Sequence, residues 1–177
     1  MPEEFVFRKK ALELPGFFRP TKEWDLLVVK DGILIVALEA KSQAGPSFGN
    51  NFNNRTEEAI GSALDLWTAF RQGAFNDSSQ PFLGYFFLLE DCEASQRPVR
   101  VREPHFDVFP EFVGASYAKR YEMLLRKLVL ERHYSASALV LSRRDTGLRG
   151  EYSEPAADLV MSALLHKLIA QVCAYVH

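Results

Sequence analysis

Two apolar runs near the start of the chain, WDLLVV at 24–29 and ILIVALEAK at 33–41, flank Lys30-Asp31-Gly32 and read as a strand–turn–strand hairpin. In the second run Ile33, Ile35 and Ala37 alternate with Leu34, Val36 and Leu38. Both faces are therefore apolar, which describes a central strand covered on both sides. The polar stretch 43–54, QAGPSFGNNFNN, reads as a long loop. Asn54, with Glu57 three residues on, suits an N-cap with a capping box. From there Ile60, Ala63, Leu64, Trp67 and Phe70 recur at helical spacing as far as Arg71. Residues 81–90, PFLGYFFLLE, predict a buried strand, and 91–104 a charged loop. Residues 116–133 predict a second helix, with Tyr117, Tyr121, Leu124, Leu125 and Leu128 along one stripe. SALVLS at 137–142 predicts another strand, RRDTGLRG at 143–150 a basic loop, and 155–175 a last helix with Pro155 in its first turn. The order hairpin, helix, strand, helix, strand, helix predicts one α/β domain over 1–177, with a central mixed sheet flanked by helices.

Composition changes this picture little. The chain has 177 residues, of which 47% are hydrophobic, enough for a real core. A formal net charge of −2 excludes a generally basic nucleic-acid coat. Charge is uneven, however: Ser95 to Gly150 holds eleven Lys or Arg against six Asp or Glu, a local balance of +5. Such a balance suits either a DNA-facing surface or the solvated sides of helices. Cys92 and Cys173 stand far apart with no CxxC partner, which argues against a zinc site and fits a reducing compartment. The start, MPEEFVFRKK, lacks the apolar core of a signal peptide, and the late apolar segment carries too many polar groups to span a bilayer. The expectation is a soluble, cytoplasmic protein.

The candidate chemistry lies in the predicted hairpin of residues 24–41. Residues two apart on a strand share a face, so Glu39 and Lys41 project together, continuing the row Ile33, Ile35, Ala37. The side taken by Asp25 depends on the turn. A two-residue loop, Asp31-Gly32, pairs Lys30 with Ile33 and sets Asp25 opposite Leu38, on the other face. A three-residue loop, Lys30-Asp31-Gly32, pairs Val29 with Ile33, sets Asp25 opposite Ala37, and brings all three charges to one face; Gly32 supplies the left-handed residue it needs. The three-residue register is the one predicted. Two converging carboxylates repel unless a divalent cation lies between them, and Mg²⁺ takes one or two carboxylates plus waters and phosphate oxygens. Asp25, Glu39 and the carbonyl of Ala40 are then the metal ligands. Asp25, Glu39 and Lys41 are the catalytic set, with Lys41 orienting or deprotonating the attacking water, or stabilising the pentavalent phosphorus. Against this stands the common role of an E-x-K triplet as a surface salt bridge worth roughly 0–1 kcal/mol.

This arrangement resembles the PD-(D/E)xK nuclease superfamily, in which an Asp on one strand precedes (D/E)xK on the next; here Trp24 stands where the proline would be. The longer stretch LEAKSQAGPSFGNNFNNRTEEAIGSALDLWTAFRQGAF is similar to the XhoI-type restriction endonucleases, and the similarity runs from about Gly16 onward. The resemblance implies a restriction-endonuclease-like fold and a Mg²⁺-dependent type II enzyme. Such an enzyme cuts duplex DNA at the palindrome CTCGAG, leaves 5′-phosphate ends, and acts as a homodimer, because a palindrome calls for a two-fold reader. Members of this family carry more chain ahead of this point. A shortened homologue that binds DNA or a partner without cleavage is therefore the alternative expectation.

Two segments carry side chains suited to DNA. After Lys41 come Gln43, Ser47, Asn50, Asn51, Asn53, Asn54 and Arg55; Asn and Gln fit adenine edges, and Arg fits guanine O6 and N7. In the basic loop, Arg143, Arg144 and Arg149 suit phosphates or guanines. Leu164, Leu168 and Val172 of the last helix are one possible dimer surface.

Overall fold

A computed structural model describes residues 1–76 and 78–176. Its centre is a five-stranded mixed sheet of β1 (Val6–Phe7), β4 (Leu26–Lys30), β5 (Ile33–Gln43), β6 (Phe82–Glu90) and β7 (Ala136–Ser142), in the order β1-β4-β5-β6-β7. A separate two-stranded hairpin, β2 (Glu13–Pro15) and β3 (Thr21–Glu23), precedes β4. β1, β4 and β5 are antiparallel neighbours, while β5, β6 and β7 run parallel.

The parallel pairs require crossovers, and α1 (Phe48–Arg71) and α3 (Tyr117–Leu130) supply them. Both helices cover one face of the sheet, packing Phe52, Ala63, Leu66, Tyr121, Leu125 and Leu128 against Ala37, Tyr85, Phe87 and Leu139. The opposite face is closed by α5 (Met161–Cys173), with Leu164 buried against Val28, Val36 and Ala138. Two short helices, α2 (Glu93–Gln96) and α4 (Arg144–Gly147), sit inside the segments expected to be loops.

Element order and type follow the sequence pattern; several boundaries do not. The polar stretch after Lys41 is not a long loop: β5 continues to Gln43, and α1 begins at Phe48 behind Ser47 rather than at Asn54. The pull comes from Phe48 and Phe52, which lie a helical turn apart and are both buried. The last helix starts at Met161, not Pro155. The residues before it are held in irregular form by side chains: Met161 N–H donates to Glu154 at 2.6 Å, and Asp158 accepts a two-pronged bond from Arg126 at 2.7 and 2.8 Å. Leu164, Leu168 and Val172 face the sheet and so do not offer a dimer surface; Leu165 and Ile169 are large apolar residues of that helix that stand exposed.

The hairpin of β4 and β5 corrects the predicted register. Its turn has two residues: Lys30 pairs with Ile33, and both Asp31 (φ 52°) and Gly32 (φ 78°) are left-handed. This is the type I′ geometry, whose twist suits a tight hairpin and which Asp-Gly favours. Carried on unchanged, that turn would set Asp25 on the face away from Glu39. A β-bulge intervenes, with Val29 pairing Leu34 but Val28 pairing Val36, so that Ile35 is the extra residue. Ile35 and Val36 both pack on the α5 side, while Leu34 and Ala37 face α1 and α3. The row leading to Glu39 and Lys41 is therefore Leu34, Ala37 rather than Ile33, Ile35, Ala37. The bulge restores the parity that the tight turn removes.

Candidate active site

Beyond Leu26 the strand pairing ends, and Asp25 straddles the level of Glu39. Its N–H donates to the Leu38 carbonyl at 3.0 Å, and its carboxylate accepts from the Ala40 N–H at 2.7 Å. Asp25 is exposed, and alternation from Leu27 puts it on the α1–α3 side, the side of Glu39 and Lys41. Residues two apart on a strand turn their backbone groups the same way. The Ala40 carbonyl therefore faces the β4 edge, as that of Leu38 does, and opens beside Asp25.

Glu39 is buried, with only 3% of its surface exposed. A buried carboxylate needs compensation, and here two ammonium groups provide it. Lys41 Nζ engages Oε1, and Lys22 Nζ lies 2.5 Å from Oε2. Lys22 comes from β3, outside the central sheet. Its Nζ also donates to the Glu23 carbonyl at 2.9 Å and lies 4.3 Å from the centroid of the Trp24 ring. The hairpin carrying Lys22 is anchored on α1 by Asp65, which accepts from the N–H groups of Phe17 and Phe18 at 2.6 and 2.7 Å and from Arg19 Nε at 2.8 Å. Gly16 makes that wrap possible, because a Cβ there would stand 2.4 Å from Asp65 Oδ2.

Beside Glu39 on β6 stands Tyr85, paired with it across the parallel ladder. Its buried hydroxyl has no hydrogen-bond partner among the described residues. Burial pushes that hydroxyl's pKa well up, and the nearby Glu39 charge adds to the shift. Arg55 and Glu58, paired at 2.5 Å on α1, also act on it, with opposite signs. Among the described residues no group of three or more His, Cys, Asp or Glu gathers as a metal cage. The carboxylates of Asp25 and Glu39 and the Ala40 carbonyl are among the oxygen groups at this corner, together with the Glu23 carbonyl bonded to Lys22.

The residues expected to meet DNA separate into three groups. Gln43 is in the core, 5% exposed, accepting from the Tyr121 hydroxyl, and its Nε2 has no partner among the described residues. It cannot reach a base edge from there, which corrects its assignment to a loop. Ser47, Asn50, Asn53 and Asn54 are exposed, and Asn51 and Arg55 half-buried, at the start of α1 and not on a loop. Arg143, Arg144 and Arg149 are exposed, but each has an acidic partner: Asp145 at 3.1 Å, Glu90 at 2.7 Å and Glu151 at 3.3 Å. Glu90 also accepts from the Gly45 N–H at 2.7 Å, so it ties the loop before α1 to the one after β7. Both candidate DNA-contacting segments thus lie at the same end of the sheet as Lys41.

Lys22 and Tyr85 escaped the sequence reading. The strands of the first hairpin are three residues each and bounded by prolines, too short for a periodicity signal. Tyr85 is legible as a core aromatic, but only the β5–β6 register sets it beside Glu39.

Comparison with known proteins places the chain in a family. A family model described as restriction endonuclease XhoI matches residues 1–154. The type II restriction enzyme BstVI of Geobacillus stearothermophilus is 55% identical over 172 residues, covering 94% of this chain and 77% of that protein. The type II restriction enzyme XhoI of Xanthomonas vasicola is 60% identical over 120 residues, covering 68% of this chain and 48% of the relative. The type II restriction enzyme AbrI of Azospirillum brasilense is 61% identical over 102 residues, covering 57% of this chain and 46% of the relative. The chain thus spans about half the length of the last two. No solved structure matches it, and among the described residues no helix is long and apolar enough to cross a membrane. A family match running through the hairpin, Glu39, Lys41 and both crossover helices leads to one conclusion: this chain belongs to the XhoI family of restriction endonucleases.

Proposed function

We propose that the chain is a Mg²⁺-dependent type II restriction endonuclease that hydrolyses one phosphodiester in each strand of a palindrome, CTCGAG, as a homodimer in the cytoplasm. The observation that carries this reading is the environment of Glu39. A buried carboxylate engages one ammonium on each oxygen while a second carboxylate straddles its level on the neighbouring strand. Such a corner draws positive charge strongly. Its oxygen donors, Asp25, Glu39 and the Ala40 carbonyl, are hard ligands few enough to leave room for water and phosphate oxygens, the set that suits Mg²⁺.

When bound, a divalent cation supplies charge neutralisation at the scissile phosphate and a more acidic water. The chain's own residues do the rest. Asp25, fixed by the Ala40 N–H, and Glu39, fixed by β5, hold the donor oxygens. Lys41, on the same face two residues on, orients the attacking water and steadies negative charge on phosphorus as the 3′ oxygen leaves. Attack by water on phosphorus with departure of that oxygen yields 5′-phosphate and 3′-hydroxyl ends. Asn50, Asn53 and Asn54 on the exposed flank of α1 face the duplex and read base edges, and the arginines after β7 exchange their carboxylate partners for phosphates. Two copies related by a dyad would bring one such corner to each strand.

The test is a digest of plasmids with and without CTCGAG, with Mg²⁺ and with EDTA, followed by end mapping. The expected result is Mg²⁺-dependent cutting of the first plasmid alone, with 5′-phosphate ends. Inertness on both at high enzyme concentration and low salt overturns the reading. A sequence-specific gel shift in Ca²⁺ without any cutting in Mg²⁺ supports instead a binding module on the same fold.

A further inference from the structure

We propose that Lys22 is an exchangeable internal counter-ion of Glu39. Its ammonium group takes the carboxylate oxygen that a divalent cation needs, and it withdraws to its other two contacts when the cation binds. This rests on the metal-site reading above.

Glu39 has two oxygens and both are engaged, Oε1 by Lys41 and Oε2 by Lys22 at 2.5 Å, with the side chain only 4% exposed. A divalent cation cannot share an oxygen with an ammonium group at that distance, because like charges at contact repel strongly in a buried setting. One lysine must yield. Lys41 lies on the same strand and face as Glu39 and has no other bond among the described contacts. Lys22 is different. Its Nζ already donates to the Glu23 carbonyl at 2.9 Å and lies over the buried Trp24 ring at 4.3 Å. Both contacts survive if the bond to Glu39 breaks, so withdrawal leaves the ammonium paired and its aliphatic stem packed. Its strand belongs to the outer hairpin and not to the central sheet, so a small shift of Lys22 disturbs no ladder bond of β5. The consequence is a built-in threshold. Cation and ammonium compete for one oxygen, so the apparent metal affinity is weaker than the carboxylates alone would give, and Glu39 stays neutralised between binding events.

Metal binding without DNA tests this. Mn²⁺ is titrated calorimetrically into the full chain as wild type, Lys22→Met and Glu39→Gln, with Tb³⁺ luminescence as a second readout. Lys22→Met keeps the stem on Trp24 and removes the charge. It is expected to bind Mn²⁺ at least about fivefold more tightly than wild type, the low end of ordinary coupling between competing ligands. It is also expected to show a larger thermal upshift with Mn²⁺. A merely structural Lys22 predicts the opposite sign, and equal or weaker binding by Lys22→Met overturns the proposal. If Lys22→Met does not fold by circular dichroism, Lys22→Gln carries the same expectation, because it keeps a donor without the charge. Should wild type bind Mn²⁺ no better than Glu39→Gln, the metal site itself falls, and Lys22's role with it. Should wild type bind well and both Lys22 variants no better, only the counter-ion proposal falls.

Discussion

Asp65 and Glu39 are both buried carboxylates facing the first hairpin, with side chains 3% and 4% exposed. Their partners differ in kind. Asp65 holds two backbone N–H groups and one guanidinium, and two of those three donors are fixed in the chain. Glu39 holds two lysine ammonium groups on flexible stems. Burial pushes the Asp65 pKa up, but the hydrogen bonds from Phe18, Arg19 and Phe17 more than reverse that, and it ends below the usual carboxylate value. The difference teaches how to tell a structural buried charge from a working one. Donors that cannot leave make a fastener, and donors that can leave make an exchange site.

Replacing each acid should break the comparison in opposite ways. Glu39→Gln is expected to lower single-turnover cleavage of a CTCGAG duplex by about 10³-fold or more. Its unfolding free energy in urea should stay within about 1 kcal/mol of wild type, because Lys22 keeps its contacts with the Glu23 carbonyl and the Trp24 ring and the partly exposed Lys41 can turn to water. Lys41→Ala should lose a similar factor, within the ~10²–10⁴ range for a positioned proton-transfer group, yet keep the Ca²⁺-supported gel shift. If cutting persists in Lys41→Ala, the role given to Lys41 is wrong.

Asp65→Ala should do the reverse, costing about 3 kcal/mol in urea unfolding because backbone donors are left buried and unpaired. Gly16→Ala drives a Cβ onto the same carboxylate and should cost about 2 kcal/mol.

The pH dependence sharpens the contrast further. Asp65 ionises at lower pH folded than in the unfolded chain, where the value is about 3.9. Its charge therefore stabilises the fold fully above about pH 4, and that contribution disappears as pH falls through the lower folded value. Urea midpoints of wild type and Asp65→Asn should differ most at neutral pH and approach each other below about pH 4. The smallest expected effect is on recognition: Asn53→Ala should weaken binding to the cognate duplex by about 1 kcal/mol while leaving the stability of the fold unchanged.

Much of this architecture was legible in the chain. Helical spacing marked α1 and α3, and unbroken apolar runs marked β5, β6 and β7, because period and length are local properties. E-x-K on a strand put Glu39 and Lys41 on one face by alternation alone. The side taken by Asp25 was not local. It follows from a type I′ turn that inverts the parity and a bulge at Ile35 that inverts it back, so the predicted face was reached through a different register from the one expected. The stretch after Lys41 misled for a related reason. Its many asparagines and glycines read as loop, and the burial of Phe48 and Phe52 overrode that propensity.

The sequence by itself determined the alternation of crossover helices and buried strands, the pairing of a carboxylate with a lysine two residues on, and, through long similarity, the family. Tertiary structure alone decided that Lys22, nearly twenty residues upstream, closes the second oxygen of Glu39, that Tyr85 stands beside it, that Gln43 turns inward to Tyr121, and that Asp65 fastens the hairpin delivering Lys22. The physical reason is that periodicity reports which face a residue takes within its own element. Which element's face meets which depends on register, bulges and packing between segments distant in the chain.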